Sequence, residues 1–236
     1  MQCMPRKATL TALALLAVAG GARAQLTISP SATAFVDISV TGTSVGTIGD
    51  DTEHIVAGAT HNWVGNQLFA GGFSFLVGNN GAMLWGTSAT DAFTTATEVG
   101  FYNPGPNNST ASPNLQKSIA TMTASNTGSS GNGNGIRQLI APLWDDYIPN
   151  SGATTNVRWQ VVGADLIVQW SREAQFTSLS TGGDVTFEAI FRGNATLASG
   201  LPLVEFVYND TLFAASKYQN DGGSATIGYK NWGVFA

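Results

Sequence analysis

Charge is scarce in this chain. Lys, Arg, Asp and Glu make up 11% of its 236 residues, against roughly a quarter in an average soluble protein, so its surface must be covered by Ser, Thr, Asn and Gly rather than by ion pairs. Positive charge is the scarcest: 10 Lys plus Arg face 15 Asp plus Glu, a net of -5, which excludes a strongly basic nucleic-acid binder. Cysteine is nearly absent. The single Cys3 has no mate in the chain, which excludes an internal disulfide and a cysteine metal site. Helical periodicity is missing too, with no ten-residue stretch that reads as an amphipathic helix. Apart from the run at the N-terminus, no stretch is long and apolar enough to span a bilayer, which takes about 20 residues.

What is present begins with a leader. Arg6 and Lys7 precede an apolar run from Ala8 to Ala19, and Ala22-Arg23-Ala24 places small residues where a signal peptidase reads them. This is the pattern of a secretory signal peptide over 1–24, with cleavage expected after Ala24. Cys3 lies before the apolar run rather than at its end, which argues against a lipid anchor. Cleavage would take Arg6, Lys7 and Arg23 and no acid, leaving seven basic and fifteen acidic side chains on residues 25–236, a net of -8. The expected product is exported, acidic, cysteine-free and without a transmembrane segment. Its 212 remaining residues are enough to bury about 70% of the unfolded surface and hold a fold through the core alone.

Alternation with period 2 recurs along those residues. Val36, Ile38 and Val40 alternate with Asp37, Ser39 and Thr41, the pattern of a half-buried strand. Phe73, Phe75 and Val77 make a second stripe, and Gly78-Asn79-Asn80-Gly81 before Ala82-Met83-Leu84-Trp85 predicts a hairpin, since Asn and Gly tolerate the positive φ of a tight turn. Val157, Trp159 and Val161, then Gly163-Ala164-Asp165, then Leu166, Val168 and Trp170 predict another. Val185, Phe187, Ala189 and Phe191 pair naturally with Leu203–Tyr208, and Ala225–Tyr229 reads as a last short strand. Short strands between Gly, Asn and Pro turns, with 12 Phe and 6 Trp to fill the middle, predict an all-β, antiparallel two-sheet sandwich of jelly-roll-like form. Residues 103–135, rich in Gly, Asn and Ser, read as a long loop insertion within a single domain over 25–236; the alternative is a linker between two domains.

Two acidic strings hold the chemistry that is there. Leu143-Trp144-Asp145-Asp146-Tyr147 sets adjacent carboxylates among aromatics, and Gly49-Asp50-Asp51-Thr52-Glu53-His54 sets three over four residues. Asp50, Asp51, Glu53, Asp145 and Asp146 are therefore the candidate ligands for Ca²⁺, which takes carboxylate and carbonyl oxygens. Neither string has the spacing of a dedicated calcium loop. The competing reading is a solvated turn at 49–54, and at 139–147 a strand ending in a turn whose Asp side chains bind backbone N–H groups. His54 and His61 are seven residues apart with no partner at zinc-ligand spacing. No Gly-x-Ser-x-Gly elbow and no phosphate loop before a helix occur, so the residues point to no catalytic set and no resident cofactor other than that calcium.

Phe35-Val36-Asp37-Ile38-Ser39, Val77-Gly78-Asn79-Asn80-Gly81, Ile140-Ala141-Pro142-Leu143-Trp144-Asp145-Asp146, Leu166-Ile167-Val168-Gln169-Trp170, Val185-Thr186-Phe187-Glu188-Ala189-Ile190 and Gly222-Gly223-Ser224-Ala225-Thr226-Ile227-Gly228 occur in that order. As an ordered set they resemble exported bacterial β-proteins similar to the nidogen-type extracellular module. The resemblance covers nearly all of residues 25–236. It implies a surface or matrix protein with adhesive or structural roles and no catalytic residues to carry over. The chain departs from that family at Val185-Thr186-Phe187-Glu188, where Asn-Thr-Phe-Gln is common. No sorting tail follows Ala236, so the chain is expected to be released or to be a fragment.

The expected function is therefore that of a secreted, non-enzymatic surface or matrix protein in adhesion or envelope structure, whose partner is an extracellular protein or glycan. A calcium-assisted glycan-binding module, stacking exposed Trp or Tyr on sugar rings, is the alternative. A glycoside hydrolase comes third, because its chemistry needs two carboxylates about 5 to 9.5 Å apart across a cleft.

Overall fold

A computed structural model of the chain describes residues 32–49, 52–86, 138–145, 147–149, 156–175, 184–211 and 225–231. Their order is β1 (Thr43–Ser44), β2 (Glu53–Val56), α1 (Gly58–His61), β3 (Phe75–Gly78), β4 (Met83–Trp85), β5 (Gln138–Trp144), β6 (Tyr147–Pro149), β7 (Val157–Val162), β8 (Asp165–Gln175), β9 (Val185–Phe191), β10 (Val204–Asp210) and β11 (Thr226–Asn231). The predicted leader over 1–24 and the predicted insertion over 103–135 lie outside the described residues.

Two antiparallel sheets form a sandwich, as the alternation predicts. Sheet A has the order β1-β7-β8-β9-β10, with β6 also paired to β8; sheet B has the order β11-β5-β4-β3-β2. Each is built on a meander, β7 to β10 in one and β2 to β5 in the other, so the likeness to a jelly roll ends at two packed antiparallel layers. The three predicted hairpins form. Gly78 N–H donates to Ala82 O at 3.0 Å around the Asn79-Asn80 turn, Val162 pairs Asp165 across Gly163-Ala164, and β9 pairs β10 from Phe191↔Val204 onward. Gly81 is fixed by geometry: its φ is +81°, and a Cβ there would lie 2.1 Å from Leu143 O.

The inner faces supply one core from both sides of the predicted insertion. Phe75, Val77, Met83, Trp85, Ile140 and Leu143 of sheet B meet Val157, Trp159, Leu166, Val168, Trp170, Phe187 and Phe191 of sheet A. Trp85 is its densest point, stacked on Phe75 at 5.2 Å and touching Trp63, Phe69 and Phe191 at 5.4, 5.5 and 5.1 Å. Trp170 stacks on Phe187 at 5.1 Å, and its Nε1 donates across the sandwich to Gly78 O at 2.8 Å. Sheet B is apolar on its other face as well, where Leu76, Leu84, Leu139, Ala141 and Trp144 are buried.

One predicted strand is absent. Residues 36–41 are extended as far as Ile38 and then turn through 39–41, leaving Val40 87% exposed. Their N–H groups do not join a ladder. Those of Val36 and Ile38 go to the side chains of Glu188 and Gln169 on the outer face of sheet A, so the segment is a strap laid across the sheet rather than a member of it. The alternation is genuine all the same, because Ile38 is buried on Ile167, Ile190 and Val207.

Candidate functional site

The sandwich has two contrasting ends. At one, the hairpin turn Asn79-Asn80 collects both acidic strings. Asn79 exchanges bonds with Thr52, accepting from its N–H at 3.1 Å and donating its own N–H to Thr52 O at 3.0 Å. The Asn79 amide also donates to Tyr147 O at 2.6 Å, while Asn80 Oδ1 accepts from Tyr147 N–H at 2.8 Å and Asn80 O from Asp145 N–H at 3.1 Å. Both Asn side chains are buried, which is tolerable because they satisfy backbone groups of two other segments.

This turn holds the corner where the chain crosses from sheet B (β5) to sheet A (β6). Asp145 lies in that corner and is 2% exposed. Glu53 opens β2, opposite Gly78 of β3, so it belongs to a strand and not to the predicted solvated turn. Asp50, Asp51 and Asp146 lie outside the described residues. Among the described residues no three His, Cys, Asp or Glu side chains are grouped as metal ligands.

Beneath the corner lies an acid that the sequence did not single out. β8 carries a bulge between Trp170 and Glu173, with Arg172 at φ +57°, and the extra residue shifts the alternation. Glu173 is thereby set directly opposite Val185, a core residue, and so faces inward, fully buried. Neither of its carboxyl oxygens makes a hydrogen bond of normal geometry, and the Asn156 side chain is the polar group beside them. Burial pushes this carboxyl well above the usual range; Asn156 draws it down in part and the Asp184 charge pushes it further up. Burial thus favours the neutral form of Glu173. The Tyr147 phenol is also raised, by burial first and then by the charge of Asp145.

The opposite end is built of loops. Asn66 is its hub: the amide donates to Arg192 O and Leu203 O at 3.1 and 2.8 Å, and Oδ1 accepts from the N–H groups of Leu68 and Phe69 at 2.9 and 2.8 Å. Gln67 N–H bonds Ala195 O, Asn194 N–H bonds Gly65 O, Gln67 Oε1 accepts from Leu197 N–H at 2.6 Å, and Trp63 Nε1 donates to Ala164 O at 2.7 Å. Gly65, at φ +83°, lies so close to Gly71 that a Cβ would fall 2.2 Å from its nitrogen. Three loops are thus locked to one another, yet their tips are apolar and open: Val64 is 63% exposed, Leu197 and Leu201 61% each.

His61 sits behind these loops and is nearly buried. Nε2 is bonded to Phe73 O at 2.9 Å and Nδ1 accepts from Trp63 N–H at 3.2 Å, which fixes the neutral tautomer with the proton on Nε2. Burial lowers its pKa, against a smaller upward pull from the Phe73 bond. His54 bonds Thr47 O at 2.7 Å, so each histidine serves a backbone carbonyl. Trp63, Trp85, Trp144, Trp159 and Trp170 are all buried, and none offers a ring face to a sugar. No family model, curated protein or solved structure matches the chain.

Proposed function

We propose that this protein is an exported, non-enzymatic surface or matrix protein that acts through adhesion or envelope contact, as the resemblance to nidogen-type modules implies. The observation that carries this reading is the loop end: three exposed aliphatic tips, Val64, Leu197 and Leu201, on loops pinned by Asn66 and its neighbours. Apolar side chains held out on rigid loops mark contact surfaces, because a pre-organised surface binds without a large ordering cost.

The test is retention of bacterial cells or envelope fragments by beads coated with the full chain, against albumin-coated beads. Wild type should retain them, and a Val64→Ser/Leu197→Ser/Leu201→Ser variant should retain at least about tenfold less, the loss expected for about 1.4 kcal/mol of interface energy. Equal retention by the two proteins would remove the reading.

A second reading, Ca²⁺-assisted glycan binding, is supported by the meeting of Thr52 and Asp145, one from each acidic string, on one hairpin turn. It predicts that millimolar Ca²⁺ raises the melting temperature by several degrees and that Asp145→Asn abolishes the rise. A melting curve indifferent to Ca²⁺ leaves only the first reading.

A further inference from the structure

The strap Thr33–Gly42 crosses the strands of sheet A one after another. The Thr33 hydroxyl donates to Glu205 of β10 at 2.8 Å and accepts from Arg192 at 2.9 Å. Val36 N–H donates to Glu188 of β9 at 3.0 Å, Ile38 N–H to Gln169 of β8 at 2.7 Å, and the Thr41 hydroxyl to Gln160 of β7 at 2.8 Å. Arg158 of β7 closes the series on Gly42 O at 2.6 Å. The sheet supplies these groups in register, since Val207, Glu188, Gln169 and Arg158 form one row across the four strands. Ile38 is the strap's fully buried apolar side chain, resting on Ile167, Ile190 and Val207, and Phe35 and Val36 pack half-buried against the same cluster.

Glu188 is the weak member of this series. It is fully buried under the strap, and while Oε1 accepts from Val36, Oε2 has no hydrogen-bond partner. The groups around it do not compensate an anion. From the strap it faces Asp37; from β8 the uncharged Gln169; from β10 Val207 directly opposite and Glu205 in the next row; from β7, beyond Gln169, Arg158. Arg192, following β9, is the nearby cation, and it is engaged by Asp165, Glu205 and Thr33.

We propose that the strap is a proton-controlled latch, closed over sheet A while Glu188 is neutral and released when Glu188 ionises, so that release uncovers the apolar patch of Ile167, Ile190 and Val207. Burial is the main reason the carboxyl is pushed from 4.5 to about 7 under the strap, the Val36 bond opposing it, Asp37 adding to it and Arg192 opposing it. A lifted strap returns the carboxyl to water and to its ordinary value. The closed form therefore binds the proton more tightly than the open one, closure is favoured below the open-form value, and this advantage is lost as pH rises through about 7.

Residue-resolved amide hydrogen exchange on the full chain between pH 5 and 8.5, corrected for intrinsic rates, tests this. The open fraction reported by Val36 and Ile38 should rise by about 70-fold across the range, while Val168 and Ala189 of the core stay protected. Glu188→Gln, which keeps an acceptor and cannot ionise, should hold the strap closed throughout. A wild-type profile flat in pH, an unchanged profile in Glu188→Gln, or core amides that exchange in step with the strap would each overturn the proposal.

Discussion

The two ends of the sandwich are sealed by the same device and differ in everything else. At each, an asparagine turn ties loops from both sheets: the half-buried Asn66 at the apolar end, the fully buried Asn79-Asn80 at the acidic end. Behind Asn66 the core is dense with rings, and behind Asn79-Asn80 it contains a buried carboxyl, Glu173, whose oxygens make no hydrogen bond of normal geometry. One end is thus rigid and offers apolar tips outward; the other keeps its unsatisfied chemistry inside. A protein that works by contact needs the first kind of end, and the second is where solution conditions act on stability.

The sharpest way to break that contrast is to remove its rings. Trp85 touches Phe75, Trp63, Phe69, Phe191 and His61 near the apolar end, whereas Phe187 stacks on Trp170 and meets Tyr147 near the acidic one. Trp85→Ala should cost about 4 to 5 kcal/mol and Phe187→Ala about 3 kcal/mol, in line with large-to-small core substitutions. Urea melts of both variants check the order; the reverse ranking would mean that the ring cluster at the apolar end collapses to fill its own cavity.

The ends should also respond to pH with opposite sign. Glu173 has a raised carboxyl in the fold, so the folded state holds its proton more tightly than the unfolded state does. Its contribution is complete below the ordinary carboxylate value and declines as pH rises above it. His61 has a lowered pKa, so it contributes above the ordinary 6.5 and that contribution is lost as pH falls below it. Glu173→Gln should raise the melting temperature at pH 8 by several degrees and leave it nearly unchanged at pH 4. His61→Gln should flatten the loss of stability between pH 6.5 and 5. Melting temperatures across pH 4 to 9 for the three proteins decide it, and equal behaviour of Glu173→Gln and wild type at pH 8 would show that Glu173 finds a partner in solution.

Much of this architecture is legible in the chain. The stripes Val157/Trp159, Leu166/Val168/Trp170 and Phe187/Ala189/Phe191 face the core as their period requires, because one side of a pleated strand must be buried in a two-layer protein. What misleads is the other side. Gln169 and Glu188 fall at positions that alternate away from the core, where a polar residue signals water, yet both are fully buried because the strap lies over them. The strap itself has a strand's alternation without a strand's partners: period 2 reports an extended chain, not where its N–H groups go. Glu173 is hidden for a different reason, since a single-residue bulge reverses the inward face after Trp170, and nothing in Ser171-Arg172-Glu173 announces it. The meeting of the two acidic strings depends on Asn79-Asn80, which is read as a turn but not as a hub, because the bonds it makes reach residues 27 and 67 positions away.

The smallest effect belongs to the apolar tips. Val64, Leu197 and Leu201 are more than half exposed and lie outside the buried core, so replacing each by Ser removes little buried area. Substitutions at such surface positions typically shift stability by no more than about 0.5 kcal/mol. Leu197 alone carries a structural duty, its N–H bonded to Gln67 Oε1, and that duty belongs to the backbone, which Ser retains. The three single variants should therefore melt within a degree or two of wild type, in contrast to Trp85→Ala a short distance behind them. That near-silence would fit the proposed contact role, since an apolar side chain held out on a locked loop and dispensable for folding is free to meet a partner. A melting temperature lowered by several degrees in any one of them would instead make that tip part of the fold and take it out of the contact surface.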